Sequence, residues 1–210
     1  MILVTPSKWL KYEVGKSYLK DYSIEVINNG VDTNVFKPTL SNIKQQYGIG
    51  DKKVILGVSS IWNRMKGLDT FIELSKEIDD QYQLVLIGLN KKQVEQLPCN
   101  IIGISRTENV QELVKWYSAA YIFLNPTLED TYPTTNLEAI ACGTPVVTFN
   151  TGGSPESAFA GEDNIIEKKD IFNFFKNDIN LEVPKSDILD FKEMNRSYLN
   201  IYSKGNGKYE

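Results

Sequence analysis

The chain contains no histidine. That excludes a Ser-His-Asp or Cys-His arrangement within it, the HExxH zinc pattern, and histidine as a general base. Only two cysteines occur, Cys99 and Cys142, far apart and without CxxC spacing. They make neither a zinc cluster nor a dithiol site and read as thiols in a reducing compartment. Basic residues do not exceed acidic ones: 23 Lys and Arg against 27 Asp and Glu leave a net charge of −4. A nucleic-acid partner is therefore not expected, and any polyanion must be met by a few local cations. Long hydrophobic runs are missing too. The longest nearly apolar stretch, Tyr117 to Leu124, falls far short of the roughly 20 residues a membrane helix needs. The opening MILVTPSKWLK has no basic n-region, so a signal peptide is not expected and the location is read as cytoplasmic. There is no internal repeat, no low-complexity segment and no Asp-x-Asp pair, and no metal is expected.

What is present is a chain of 210 residues, 41% hydrophobic and 24% charged. It fits one large domain or one domain plus fragments and is too short for two full α/β domains. Its middle alternates β-branched runs with helical patterns. Strands are expected at Val54–Val58, Leu84–Ile87, Asn100–Ile102, Tyr121–Leu124 and Val146–Phe149, with a weaker one at Asn164–Ile166. These runs are continuously apolar, as parallel strands covered on both faces should be. Helices are expected over Leu68–Ile78, Val110–Ala119 and Thr135–Cys142. Repeated strand–helix units imply right-handed crossovers and an α/β, Rossmann-like, doubly wound parallel sheet. The ends differ. A strand at Ile2–Thr5 leads through Pro6 and Ser7 into an amphipathic helix reaching about Lys20. A second strand, Ile24–Ile27, runs into the turn signal Asn28-Asn29-Gly30. Residues 31–52 read as irregular, with one short helix near Asn42–Tyr47. Ser186 is a candidate cap for a last helix carrying Ile188, Leu189, Phe191, Met194, Tyr198 and Tyr202, followed by a frayed tail, SKGNGKYE.

Ligands of such sheets bind at the carboxyl ends of the strands, so the loops after the strands are the candidate site. After the first central strand, Ser59-Ser60-Ile61-Trp62-Asn63-Arg64-Met65-Lys66-Gly67 places two cations just before a helix, a plausible anion site that also reads as a solvated loop. The segment from Asn125 to Asn136 leads into a small apolar helix whose one charge is Glu138. That carboxylate either answers the helix dipole or faces a ligand where strand end, loop and helix start converge. Asp130 lies eight positions earlier. Thr134, Thr135 and Asn136 offer backbone N–H groups and hydroxyls that suit a phosphate or sugar. Gly152 and Gly153 permit close backbone approach, or simply make a turn, and Ser154 with Pro155 is a good helix opening. Gly103-Ile104-Ser105-Arg106 is the fourth candidate loop.

The stretch EDTYPTTNLEAIACGTPVVTFNTGGSPE resembles the donor-binding half of retaining GT-B glycosyltransferases, glycosyltransferase family 4, of the bacterial surface-polysaccharide type. That family's signature is a Glu, seven residues, then a Glu followed by Ala-x-Ala-Cys-Gly-x-Pro-Val. Here it takes the form Asp130, seven residues, Glu138 and AIACGTPVV. ILGVSSIWNRMKGLDTFIEL resembles the family's strand–loop–helix with a phosphate-binding Lys, and VINNGVDTNVFKP its interdomain segment. MNRSYLNIY resembles its closing helix.

The resemblance implies a nucleotide-sugar partner, a UDP- or GDP-sugar, as substrate and no bound cofactor. It gives Lys66, Asp130 and Glu138 the central roles: Lys66 on the diphosphate, Asp130 on donor-sugar hydroxyls, Glu138 on the ribose 2′- and 3′-hydroxyls. Ser60, Arg64, Thr131, Tyr132, Thr134, Thr135, Asn136 and Gly153 would complete the cradle, with Ile104 and Arg106 facing the base. Two departures stand out. Asp130 is one methylene shorter than the usual Glu. The family's Gly-Arg, six and five positions before the Lys, is Ser60-Ile61 here, which leaves Arg64 to reach the diphosphate instead. Residues 1–23 are expected to be the end of an acceptor domain, 24–185 the nucleotide-sugar domain, and 186–210 the closing helix and tail. The sugar or lipid-linked acceptor would be met by an N-terminal domain absent from this chain, and this chain alone is expected to be inactive. The full-length enzyme is expected at the inner face of the membrane, held peripherally. The rival readings are a sugar-nucleotide 2-epimerase-like enzyme on the same fold, and a non-catalytic binding subunit or remnant.

Overall fold

In the computed structural model, all residues are described except 160–163, 178–180, 182, 184–189 and 207–210. Six parallel strands form the central sheet: β3 (Lys53–Val58), β4 (Tyr82–Ile87), β5 (Ile101–Ile104), β6 (Ile122–Asn125), β7 (Val146–Phe149) and β8 (Ile165–Ile166). Their order is β5-β4-β3-β6-β7-β8. The chain thus winds outward from β3 to one edge, returns to the centre and winds to the other, with its switch point between β3 and β6.

Alternation along each strand builds two cores. Val54 and Leu56 of β3 face one side with Val114, Trp116 and Tyr117 of α5 (Val110–Ala119) and Ala139 and Ile140 of α6 (Thr134–Ala141). Ile55, between them, faces the other side with Phe71 and Leu74 of α3 (Leu68–Leu74) and Ile171 and Phe175 of α8 (Ile171–Lys176). Covering both faces explains why these strands read as continuous apolar runs.

Several boundaries move, each for a local reason. α3 stops at Leu74 rather than Ile78, because the Ser75 hydroxyl turns back to donate to the Ile72 carbonyl at 2.8 Å. β5 extends through Gly103 and Ile104, residues read as loop from the sequence. α4 (Lys91–Gln96) was not expected, although its reciprocal Asn90–Gln93 capping box is legible as a pattern. α8 is also an addition to the reading, whereas α7 (Ser154–Ala158) begins at the helix opening that Ser154 and Pro155 signal. In the irregular segment, α2 spans Ile43–Gln46 within the expected range.

At the start of the chain, β1 (Ile2–Thr5) and β2 (Ser23–Val26) pair in parallel as a separate two-stranded sheet. α1 (Lys8–Gly15) ends five residues before the expected Lys20. There the Ser17 hydroxyl takes the Val14 carbonyl and accepts from the Leu19 N–H, closing the helix. The Glu156 carboxylate, from α7, accepts the Lys8 and Trp9 N–H groups at 2.9 and 2.7 Å, tying the start of α1 to the main sheet's flank. The expected cap Ser186, with Ile188 and Leu189, lies outside the described residues. The last helix, α9 (Phe191–Asn206), starts beside Asp190, which accepts from Lys192 N and Thr33 Oγ1, and it runs on into the segment expected to fray.

Candidate functional site at the sheet switch point

A cavity of about 240 Å³ lies at the carboxyl ends of β3 and β6, where the winding reverses. Val58, Ser59, Ser60, Trp62 and Lys66 line one wall. Leu124, Asn125, Asp130, Tyr132, Pro133, Thr134 and Thr135 line the other. A second cavity of similar size sits at the amino end of β4, between α3 and α8, around an exposed Lys176–Glu77 pair. Only the first occupies the place where doubly wound sheets bind ligands.

The first wall is the loop from Ser59 to Gly67. Trp62 is its anchor: the buried indole donates to the Ile87 carbonyl at 2.8 Å, and the Trp62 carbonyl accepts Gln93 Nε2 at 2.8 Å. The loop closes at Gly67, whose φ of +78° is left-handed; a Cβ there would lie 2.4 Å from the Pro126 carbonyl. Leu128 N–H donates to the Met65 carbonyl at 2.8 Å, so the two walls are stitched together at their base. Lys66 reaches across and donates to Asp130 Oδ2 at 2.5 Å.

The second wall rests on the Thr151–Ser154 turn. Gly153 N–H donates to the Asp130 carbonyl, and a Cβ on Gly153 would sit 1.9 Å from the Thr131 carbonyl oxygen. Gly152, at φ +57°, has Asp130 O only 2.3 Å from where its Cβ would be. These glycines let two stretches of protein backbone touch. Gly153 is buried beneath the Asp130–Tyr132 loop, outside the cavity lining. Thr151 Oγ1 donates to the Thr127 carbonyl at 2.6 Å and completes the buttress.

α6 starts after Pro133 with no side-chain cap, which leaves its first N–H groups at the cavity beside Thr134 and Thr135. A helix start of this kind favours an anion. Asn136 is fully buried: its amide donates to Ser157 Oγ at 2.8 Å and its oxygen accepts from Asn125 Nδ2 at 2.8 Å. Its side chain is thus committed to holding α6, α7 and β6 together. Tyr132 is likewise a core residue, packed with Val31 and Leu137, and burial pushes its hydroxyl up to about 12.

Glu138 stands one turn along α6 from Thr134, on the same helix face, behind the residues that line the cavity. Tyr117 of α5, fully buried, donates to its Oε2 at 2.8 Å. Burial pushes the Glu138 carboxyl up to about 7, against the lowering effect of that hydrogen bond.

Among the expected site residues, the structure brings together Ser60, Lys66, Asp130, Tyr132, Thr134 and Thr135. Arg64, Arg106 and Thr131 are exposed and outside the lining. Ile104 closes β5 with its side chain in the core, only 8% exposed. Trp62 and Asn125 of the lining, and Tyr117 behind it, were not singled out. Trp62 sits inside a loop already read as unusual. Tyr117 gave no signal, because it lies on another helix, 21 residues from the carboxylate it serves.

Comparison with known proteins adds a lineage to this geometry. The chain is 29% identical over 165 residues to a D-inositol 3-phosphate glycosyltransferase of Corynebacterium jeikeium, a match covering 69% of this chain and 39% of the relative. It is 26% identical over 176 residues to a GDP-mannose-dependent alpha-(1-6)-phosphatidylinositol monomannoside mannosyltransferase of Mycolicibacterium smegmatis, covering 74% and 46%. The chain thus spans less than half the length of these curated relatives. In fold it superposes on the crystal structure of Anabaena HepE in complex with UDP-glucose, with a TM-score of 0.79 at 18% identity, covering 97% of this chain and 64% of that one. The sequence profile of glycosyl transferases group 1 matches residues 52–180, the span from β3 to the end of the sheet and beyond. The chain belongs to the glycosyl transferases group 1 family.

Proposed function

We propose that this chain is the donor-binding part of a retaining glycosyltransferase, and that the switch-point cavity takes the diphosphate and transferable sugar of a UDP- or GDP-sugar. The observation that carries the reading is the pairing of Lys66 with the uncapped start of α6 across one cavity that Asp130 also lines, with Glu138 one helical turn behind it. Lys66 and the α6 N–H groups supply positive charge where a nucleoside diphosphate departs, which is where stabilisation speeds cleavage of a sugar–phosphate bond. Asp130 is placed to trade its bond with Lys66 for donor-sugar hydroxyls as the phosphates arrive. Glu138 would receive the ribose, with Arg64, Arg106 and the end of β5 at Ile104 toward the nucleotide's outer parts. A cavity of about 240 Å³ is smaller than the ~300–1,000 Å³ of a complete ligand pocket and matches a site finished by a facing domain.

In the reaction read from the family resemblance, the acceptor hydroxyl attacks the anomeric carbon on the face the diphosphate leaves, and the leaving phosphate takes the proton. That chemistry needs no enzymic nucleophile. Polysaccharide assembly in a bacterial cytoplasm, at the inner membrane face, is the setting we propose. Among the described residues, no helix is long and apolar enough to cross a membrane. Residues 1–23 would belong with the acceptor side; the absence of buried residues in α1 supports this. UDP and GDP are the favoured nucleotides, since HepE was solved with UDP-glucose and the M. smegmatis relative is GDP-mannose-dependent.

Calorimetry with UDP, GDP and ADP, each with and without its sugar, tests the reading. Binding of a nucleoside diphosphate, weakened by salt, is the expected result. No heat with any of them would overturn the donor-site reading in favour of a remnant. A radiolabelled-donor assay should show no transfer by this chain alone, since acceptor positioning is a large share of the rate. Sugar-nucleotide turnover without acceptor would instead favour the epimerase reading.

A further inference from the structure

We infer that Tyr117 is a positioning residue of the donor site: its hydroxyl holds one oxygen of the Glu138 carboxylate and presents the other to the ribose of a nucleoside diphosphate. The inference rests on the donor-site reading of Glu138 and adds a residue to it.

Three observations carry it. The Tyr117 hydroxyl donates to Glu138 Oε2 at 2.8 Å, and among the described residues it is the one donor to that carboxylate. The tyrosine cannot swing away. It is fully buried, packed edge-on against Phe123 at 5.4 Å and Phe36 at 6.3 Å, and its carbonyl accepts the Thr144 hydroxyl at 2.5 Å. Glu138 also sits in the C-terminal half of α6, beyond the first-turn N–H groups that stabilise carboxylates at helix starts. A half-buried carboxylate with a single fixed donor has its torsion set by that donor. Oε1 is left to accept from a ligand, together with the second lone pair of Oε2.

Among the described residues, the titratable groups facing Glu138 are Tyr117 from α5 and Cys142 at the end of α6. Burial holds the Tyr117 hydroxyl well above its ordinary range and pushes the Cys142 thiol up to about 12, so both are neutral where Glu138 titrates. The hydroxyl therefore acts as a donor that favours the carboxylate form, the better acceptor for sugar hydroxyls.

The experiment is calorimetry of the full chain with UDP and with GDP from pH 5.5 to 8.5, for wild type, Tyr117→Phe, Glu138→Gln and the double variant. Wild-type affinity should rise with pH through a midpoint near 7, where Glu138 ionises. Tyr117→Phe should weaken binding about fivefold at pH 7 and move that midpoint to higher pH by about one unit. In the Glu138→Gln background it should cost less than about twofold, since the two residues act as one unit. If Tyr117→Phe fails to fold, NMR of the wild type decides: a slowly exchanging Tyr117 hydroxyl proton that shifts with the Glu138 carboxyl titration supports the inference, and its independence of that titration overturns it. Wild-type binding with Tyr117→Phe unchanged in affinity and midpoint overturns the inference alone. No binding of UDP or GDP by the wild type overturns the donor-site reading and this inference with it.

Discussion

The two walls of the cavity are built differently. The β3–α3 wall is mostly solvent-facing: Ser60, Ile61, Asn63, Arg64 and Met65 are exposed, and only Trp62 and Gly67 are buried. The β6–α6 wall is mostly buried, with Pro126, Thr127, Tyr132, Pro133 and Asn136 inside, and it rests on the Thr151–Ser154 turn through direct backbone contact. The exposed wall carries the cations and the buried wall carries most of the fixed polar groups. A long lysine on a loop can follow a diphosphate, whereas hydroxyl recognition demands donors and acceptors held in place by packing. The comparison teaches that charge and geometry are supplied here by different parts of the chain.

The largest expected effect tests the buried wall. Gly153→Ala forces a methyl into the Thr131 carbonyl, so one backbone must move; a loss of about 3 kcal/mol in folding stability is expected from denaturant melts. The displaced Asp130 loop should also lose nucleotide-sugar binding. If stability and binding both survive, the buried wall is not rigid and the comparison fails.

Next comes the charge on the other wall. Lys66→Ala should reduce nucleoside diphosphate affinity by about 2 kcal/mol and flatten its salt dependence, while leaving melts nearly unchanged because Lys66 is partly exposed. Calorimetry at two ionic strengths checks both parts.

A smaller and two-sided effect belongs to Glu138. Its folded pKa of about 7 lies above the ordinary 4.5, so the folded state holds a proton that the unfolded state gives up between those values. Stability from this group is full below about pH 4.5 and is lost as pH rises through about 7. Glu138→Gln removes that loss and keeps an acceptor for Tyr117. It should stabilise the protein by about 1–2 kcal/mol at pH 8 and by almost nothing at pH 4.5, in melts at the two pH values. Nucleotide affinity should fall by about 1–2 kcal/mol as the charge-assisted bonds become neutral ones. A variant that is neither stabilised at pH 8 nor weaker in binding would leave Glu138 no role at the ligand site.

The smallest change is expected at Arg64. It is exposed and outside the lining, so Arg64→Ala should shift diphosphate affinity by less than about 0.5 kcal/mol, against the larger loss at Lys66. Equal losses at the two positions would mean that the loop closes on its ligand and brings Arg64 in.

The sequence by itself determined the layered fold and pointed to the loops of the candidate site. Continuous apolar strands separated by amphipathic segments have one stable arrangement, a parallel sheet covered on both faces, and such a sheet has its ligand groove at the carboxyl ends of its strands. Lys66, Asp130, Thr134 and Thr135 were legible because each lies between the end of a strand and the first turn of the helix that follows it. α4 and α8 were not, because short polar or aromatic segments carry too few periods to show a face. Only the tertiary structure decided which residues touch. Gly153 reads as a place for a ligand until the Thr131 carbonyl is found filling that space. Asn136 reads as a donor at a helix start until Ser157 and Asn125 are found occupying it. Ile104 reads as loop until β5 is seen to end on it. The Tyr117–Glu138 contact joins two helices that meet only after the strand between them, β6, has been placed in the sheet. Local sequence fixes periodicity and turn chemistry, whereas the partner of a buried polar group is set by packing between segments distant in the chain, and one sequence carries no pattern that records it.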